Sequence, residues 1–241
     1  MADSPITLRK EGNISIITID DGKANVFGVP MTSGLSAALD EIDKKEGAVV
    51  IEGRDGIFSG GFDLNVINAG DPVAGREMTL GGVNVALQAM DFPRPIVAAV
   101  TGHAVAMGAI FCCGLDWRIG AKGNFKHGLN EIKDGLTLPM FAIELPRFRL
   151  HPSHYQDATM RSTIYSPEGA VEAGFLDEVV DADKCREAAF EKAKELAALL
   201  PNPAYGVSKI RDRGPTKRLI ADNLEADLAQ TRVDAQGIMG P

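Results

Sequence analysis

The chain has 241 residues, 45% of them hydrophobic and 24% charged, with a formal net charge of −8. That length fits one large domain, or one domain with a small appendage, and supports a core that needs no disulfide or metal staple. The acidic balance argues against nucleic acid or an anionic membrane as the main partner, while leaving room for a local basic patch facing a phosphorylated ligand.

Residues 1–10 include Asp3 and show no apolar leader, and no apolar run approaches the ~20 residues of a spanning helix, so the expected compartment is the cytoplasm. Residues 14–20 are rich in β-branched side chains and predict a strand, followed by a turn over 21–25. Leu35, Ala38, Leu39 and Ile42 recur at the helical period and predict a helix over 31–45. The apolar run 48–52 reads as a buried strand. A helix is expected over 73–90, weakened in its middle by Gly81 and Gly82, and closed by Pro93 and Pro95 before a short strand at 96–100. Residues 102–108 read as a small-residue turn, 109–113 as a short apolar helix, 116–121 as a strand and 125–135 as mostly loop. The three cysteines, two of them adjacent at Cys112 and Cys113, form neither a disulfide framework nor a zinc set, and the adjacent pair reads as small buried hydrophobes.

Two helices are expected over 138–150 and 151–161, the second with Pro152 in its first turn. Ser166 followed by Pro167 has the cap-then-proline start of another, running to Ala173. A strand over 175–180 and a long helix over 183–200 follow, ended by Pro201 and Pro203, with a last amphipathic helix over 219–233. Between them, residues 211–218 form the most basic stretch and read as a charged, solvated turn. Strands alternating with helices, then helices alone, indicate an α/β core with a helical C-terminal part.

The most informative segment is Gly56–Ile57–Phe58–Ser59–Gly60–Gly61–Phe62–Asp63–Leu64. Glycines at such a bend let backbone N–H groups point at a ligand, because no Cβ blocks the approach. The segment lacks the Lys-Ser/Thr ending of a phosphate loop and the spacing of a dinucleotide fingerprint. Two readings stand: a structural strand-to-helix turn, and a donor loop for a developing oxyanion. Asp63 reads as a helix cap. Ser59 is not in a nucleophile elbow.

Four ordered segments resemble one family. The loop from Phe58 to Leu64 resembles the first signature of the crotonase superfamily, the enoyl-CoA hydratases and isomerases. Pro95–Ile96–Val97–Ala98–Ala99–Val100–Thr101–Gly102–His103–Ala104–Val105–Ala106–Met107–Gly108 resembles the second. Gly128–Leu129–Asn130–Glu131, with Gly135 and Pro139, resembles the segment of the catalytic acid, and residues 166–180 resemble the downstream stretch. The resemblance implies an α/β fold: a spiral of ββα units over 1–195 and a helical trimerisation region over 196–241. It implies acyl-CoA thioester substrates, with coenzyme A part of the substrate and no separate cofactor or metal, and a homotrimer or hexamer. It also implies an oxyanion hole from the N–H groups of Phe62 and Met107. Ala24, Asn25, Ser59, Gly61, Asp63 and Leu64 would border the coenzyme A path, and Lys209 would offer a cation to its phosphates.

One departure bears on the reaction. Hydratases of this family carry two glutamates; the first aligns with Ile110, which cannot move a proton, and the second with Glu131. A single carboxylate suits a 3,2-enoyl-CoA isomerase, an expectation supported by the similarity of the Gly-Leu-Asn-Glu wording to mitochondrial-type isomerases. The alternatives are a hydratase, a non-catalytic acyl-CoA-binding homologue, or another thioester reaction. To act near neutral pH, Glu131 should sit in an apolar pocket, with Ile110 and Leu136 as its expected lining. His127 reads either as a second acid/base or as a solvated loop histidine, His103 as a packing residue, and Glu144 as a salt-bridge partner.

Overall fold

The computed structural model describes residues 4–200 and 203–229. In chain order the elements are β1 (Ile6–Glu11), β2 (Ile14–Ile19), α1 (Val29–Glu41), β3 (Ala48–Glu52), β4 (Gly56–Ser59), α2 (Leu64–Ala69), α3 (Pro72–Asp91), β5 (Ile96–Val100), β6 (Gly102–Val105), α4 (Met107–Cys113), β7 (Trp117–Ala121), β8 (His127–Gly128), α5 (Met140–Arg149), α6 (Pro152–Thr159), α7 (Pro167–Ala173), β9 (Glu178–Val180), α8 (Cys185–Leu199) and α9 (Pro203–Ala229). Strands from β3 to β8 alternate between two sheets. The larger has the order β1-β2-β3-β5-β7-β9, parallel apart from the β1–β2 hairpin; the smaller is β4-β6-β8, all parallel. Each turn of the chain therefore adds one strand to each sheet before a helical segment returns it.

The larger sheet is covered on both faces, which is why β3 and β5 read as unbroken apolar runs rather than alternating ones. Ile17, Ile19, Val49, Ile51, Ile96, Ala98 and Val100 face the cluster that includes α1, α3 and α4. The alternate residues Ile14, Ile16, Val50, Val97, Ala99 and Ile119 face Cys185, Ala189, Ala193 and Ala197 of α8. The alanine stripe lets that helix lie close on the sheet. Cys112, Cys113 and Cys185 are all buried and unbridged, as small core residues.

Several expectations need correcting. The two glycine-rich stretches contain strands β4 and β6, and β8 lies within the expected loop over 125–135. These strands are two to four residues long, too short for a period to register. The strand expected over 175–180 is confined to Glu178–Val180. Residues 211–218 are not a turn: they lie inside α9, which starts at Pro203 and runs through Pro215. The part of the expected last helix beyond 229 lies outside the described residues. A boundary at 195 would cut α8, which packs on the larger sheet.

The reason α9 continues through a basic stretch is buried. Asp116, at the entrance to β7, accepts from Lys209 Nζ at 2.6 Å, Arg213 Nη2 at 2.7 Å, Tyr205 Oη at 2.7 Å and the Ile96 N–H at 2.8 Å. Burial opposes the charge of this carboxylate, but the two cations outweigh it and hold its pKa below the usual range. Lys217 adds a pair with Asp91 at the end of α3. Successive turns of α9 thus point charges inward at fixed acceptors, where a solvated turn would waste them. Asp116→Asn would leave two buried cations without their counter-ion. Urea unfolding should then show a loss of about 3–5 kcal/mol, with a much smaller loss for the exposed-pair variant Lys44→Ala.

Candidate active site

Three segments converge at the ends of β4, β6 and β8. The first is laced to the turn before α1. Ser59 Oγ donates to Asn25 O at 2.7 Å and accepts the Gly61 N–H at 3.1 Å. The Gly60 N–H donates to Ala24 O, and the Phe27 N–H to Gly61 O, both at 2.8 Å. Asn25, fully buried at φ 49°, donates through Nδ2 to Ile19 O and Phe58 O. Asp21 gathers the N–H groups of Lys23, Asn25 and Val26, which fixes that turn in place.

Gly61 has φ 95°, and a Cβ there would fall 2.7 Å from Ala106 Cβ and 3.3 Å from the Met107 nitrogen. The first and second segments therefore touch at a point that tolerates only glycine. Ala106 itself carries φ 49° and ψ −129°, a sparsely populated conformation for a residue with a Cβ, just before α4 begins. Its N–H is held by Gly128 O at 2.9 Å, so β8 fixes the strained corner. Met107 occupies the first position of α4, where the N–H has no acceptor within the helix. Phe62 follows Gly61, its ring set edge-on to Phe141 and against Gly82 of α3. A side chain at Gly82 would overlap that ring, so the glycine that weakens α3 makes room for Phe62. Asp63 caps α2, accepting the Asn65 N–H at 2.9 Å.

The third segment brings Glu131 into a cavity of about 440 Å³, whose walls include Phe62, Ile110, Leu136, Met78, Phe141 and Leu228. Ile110 and Leu136 thus stand where the sequence expects the lining. Burial raises the Glu131 pKa to about 7, helped by the nearby charge of Asp134 and opposed by the N–H groups of Glu131 and Asn130. Its Oε2 is buried and has no hydrogen-bond partner among the described residues. Two other carboxylates line the cavity, and both are engaged in capping helices. Asp71 accepts the Val73 and Ala74 N–H groups at the start of α3, and Asp227 accepts the Met140 N–H at the start of α5. Asp227, contributed by α9, was missed by the sequence reading, because no local signal links a C-terminal helix to a loop 87 residues earlier.

Other expected residues lie elsewhere. Lys209 is buried 5% exposed against Asp116, so its ammonium is directed away from solvent. Ser59 and Asn25 are fully buried and shape the first segment from beneath, whereas Leu64 is 64% exposed beside it. His127 is not solvated: it is buried on β8, paired through its backbone with Tyr165, and burial lowers its pKa to about 4. It does not line the cavity that holds Glu131. His103 packs edge-on against Phe125, and Glu144 pairs with Arg147 at 3.0 Å. No cluster of metal-ligating side chains occurs among the described residues, and no helix among them is long and apolar enough to cross a membrane.

Residues 9–232 match the family model described as enoyl-CoA hydratase/isomerase. The chain is 26% identical to a probable enoyl-CoA hydratase, EchA17, of Mycobacterium tuberculosis, over 88% of this chain and 84% of that protein. An enoyl-CoA hydratase/isomerase family protein from Pseudomonas syringae superposes with a TM-score of 0.90 at 31% identity, covering 96% of this chain and all of that one. An enoyl-CoA isomerase from Mycobacterium tuberculosis gives 0.88 at 35% identity, covering 94% and 99%.

The raised Glu131 pKa carries a stability consequence. The folded value lies above that of the unfolded chain, so the contribution is complete in acid and is lost as pH rises through about 7. Glu131→Gln should therefore be more stable than the parent above pH ~8, by on the order of 2–3 kcal/mol, with the difference closing below pH ~4. Denaturant midpoints across that range test it.

Proposed function

Because the chain belongs to the enoyl-CoA hydratase/isomerase family and has the crotonase fold, we propose that it moves the double bond of a 3-enoyl-CoA to the 2 position. Glu131 is the base. It takes a proton from C2, the electrons pass to the thioester oxygen as a dienolate, and the same carboxyl returns the proton at C4. The N–H groups of Phe62 and Met107 receive the oxygen as charge builds on it. Fixed backbone donors of this kind need no reorganisation and are worth ~10²–10³ in rate each.

The observation that carries this reading is the one carboxylate lining the cavity, among the described residues, that caps no helix. Glu131 has a buried, unpartnered oxygen and a pKa near 7, while Ile110 supplies hydrocarbon in the same cavity. A base whose pKa lies near the working pH can both accept and return a proton, which isomerisation requires of one group. Hydration needs a water held between two polar groups, and Ile110 holds none. A second reading, hydration of a 2-enoyl-CoA, draws support from the hydratase name of the mycobacterial relative. The acyl-CoA is the proposed ligand, with Ala24, Gly61, Asp63 and Leu64 along the coenzyme A path; a homotrimer or hexamer and a cytoplasmic location remain part of the proposal.

Incubation with a 3-enoyl-CoA should give the 2-enoyl isomer, and in D₂O deuterium should enter at C4 to the extent that the Glu131 carboxyl exchanges its proton with solvent before returning it. Production of 3-hydroxyacyl-CoA from the 2-enoyl substrate, without isomerisation, would favour the hydratase reading instead. Glu131→Gln should lower kcat by ~10²–10⁴, and the parent kcat/KM should rise with pH to a plateau above an apparent pKa of about 7. Gly61→Ala should preserve far-ultraviolet circular dichroism yet lower kcat by ~10²–10³, since the new Cβ pushes against the Met107 corner.

A further inference from the structure

The far wall of the cavity is built from the C-terminal helix. Asp227, Leu228 and Ala229 line it together with Arg76 and Thr79 of α3 and Phe141 of α5. A reacting C2–C4 segment beside Glu131 directs the remaining acyl carbons into this contiguous, largely apolar space. The end of α9 therefore stands where a growing chain would stop.

The two halves of α9 are held very differently. Before Pro215 the helix is fixed by Lys209 and Arg213 on buried Asp116, with those side chains 2% and 6% exposed. Beyond Pro215 and the Lys217–Asp91 pair, Ile220 and Leu224 pack on the core, and among the described residues two polar contacts hold the turn after them. One is the Arg76–Glu225 pair at 2.9 Å, with side chains 44% and 77% exposed. The other is the Asp227 carboxylate on the Met140 N–H at 2.7 Å. Pro215 lacks an N–H and so removes one i→i−4 hydrogen bond of the helix between these halves. A firm anchor, a weakened joint and an exposed clasp leave the last described turn held less firmly than the first half of α9.

We propose that the terminal turn of α9, through Leu228 and the Arg76–Glu225 clasp, sets the length of acyl chain the cavity accepts. This rests on the acyl-CoA reading of the site. Leu228 supplies the apolar stop, and the clasp decides how readily the stop moves. The two parts make opposite predictions when altered, which separates a length determinant from a general structural role.

The test is the binding of butanoyl-, octanoyl- and hexadecanoyl-CoA, saturated and unreactive, by calorimetry on the full chain. Leu228→Trp should reduce the ratio of hexadecanoyl- to butanoyl-CoA affinity by about tenfold or more, since each methylene refused by an apolar pocket is worth roughly that factor. Glu225→Ala should raise the same ratio. A variant that is merely misfolded weakens all three ligands together and leaves the ratio where it was. Unchanged ratios in Glu225→Ala, with tight binding of all three ligands, would overturn the length determinant while sparing the acyl-CoA reading. Failure of the parent protein to bind any of the three would overturn both.

Discussion

The approach of Gly61 to the Ala106–Met107 corner is the contact on which the candidate site depends. It joins the ends of β4 and β6, two strands of the smaller sheet, at a separation that only a missing side chain permits. Each partner is held from behind. Asn25, Ser59 and Asp21 tie down the first loop, while Gly128 fixes the strained Ala106 through its carbonyl. The strain at Ala106 is sustained because three strands and a turn over-determine it. Its result is a pair of backbone N–H groups, on Phe62 and Met107, carried by scaffold rather than by mobile side chains.

Glu131 gains its character from a different source. Removal from water is the largest influence on its carboxyl, with the charge of Asp134 a lesser one. The cavity that desolvates it is assembled from elements distant in sequence: α2 and α3, the start of α4, the loop into α5, and the end of α9. Ile110 lines the same cavity, and its hydrocarbon is part of what keeps water from Glu131.

The buried charges along α9 connect that helix to the same cavity. Asp116 satisfies two cations and a phenol at the base of the sheet, and the helix then runs across α3 and α5 to reach Met140. Pro139 provides no side-chain cap to α5, and Asp227 supplies the missing acceptor from 87 residues away. The loop carrying Glu131 leads directly into that capped helix. Docking of the C-terminal helix and the shape of the site are accordingly coupled by ordinary hydrogen bonds.

Local sequence determined much of this protein. The runs 48–52 and 96–100 read as strands, the Ser166–Pro167 start fixed α7, and Asp63 fixed the start of α2. The ordered glycine segments and the Asn130–Glu131 pair were also legible, because turns and close approaches restrict residue type at single positions. What the sequence left open was decided over long distances. The smaller sheet was hidden because its strands are too short to display a period. The basic run 211–218 looked like a solvated turn until Asp116 and Asp91 were found beneath it. Lys209, read as a phosphate ligand, proved to be a buried counter-ion, and His127, read as solvated or as a second acid/base, proved to be buried outside the cavity. Composition and spacing register what a residue can do; burial and partnership, which set a pKa or consume a charge, arise only when distant segments meet.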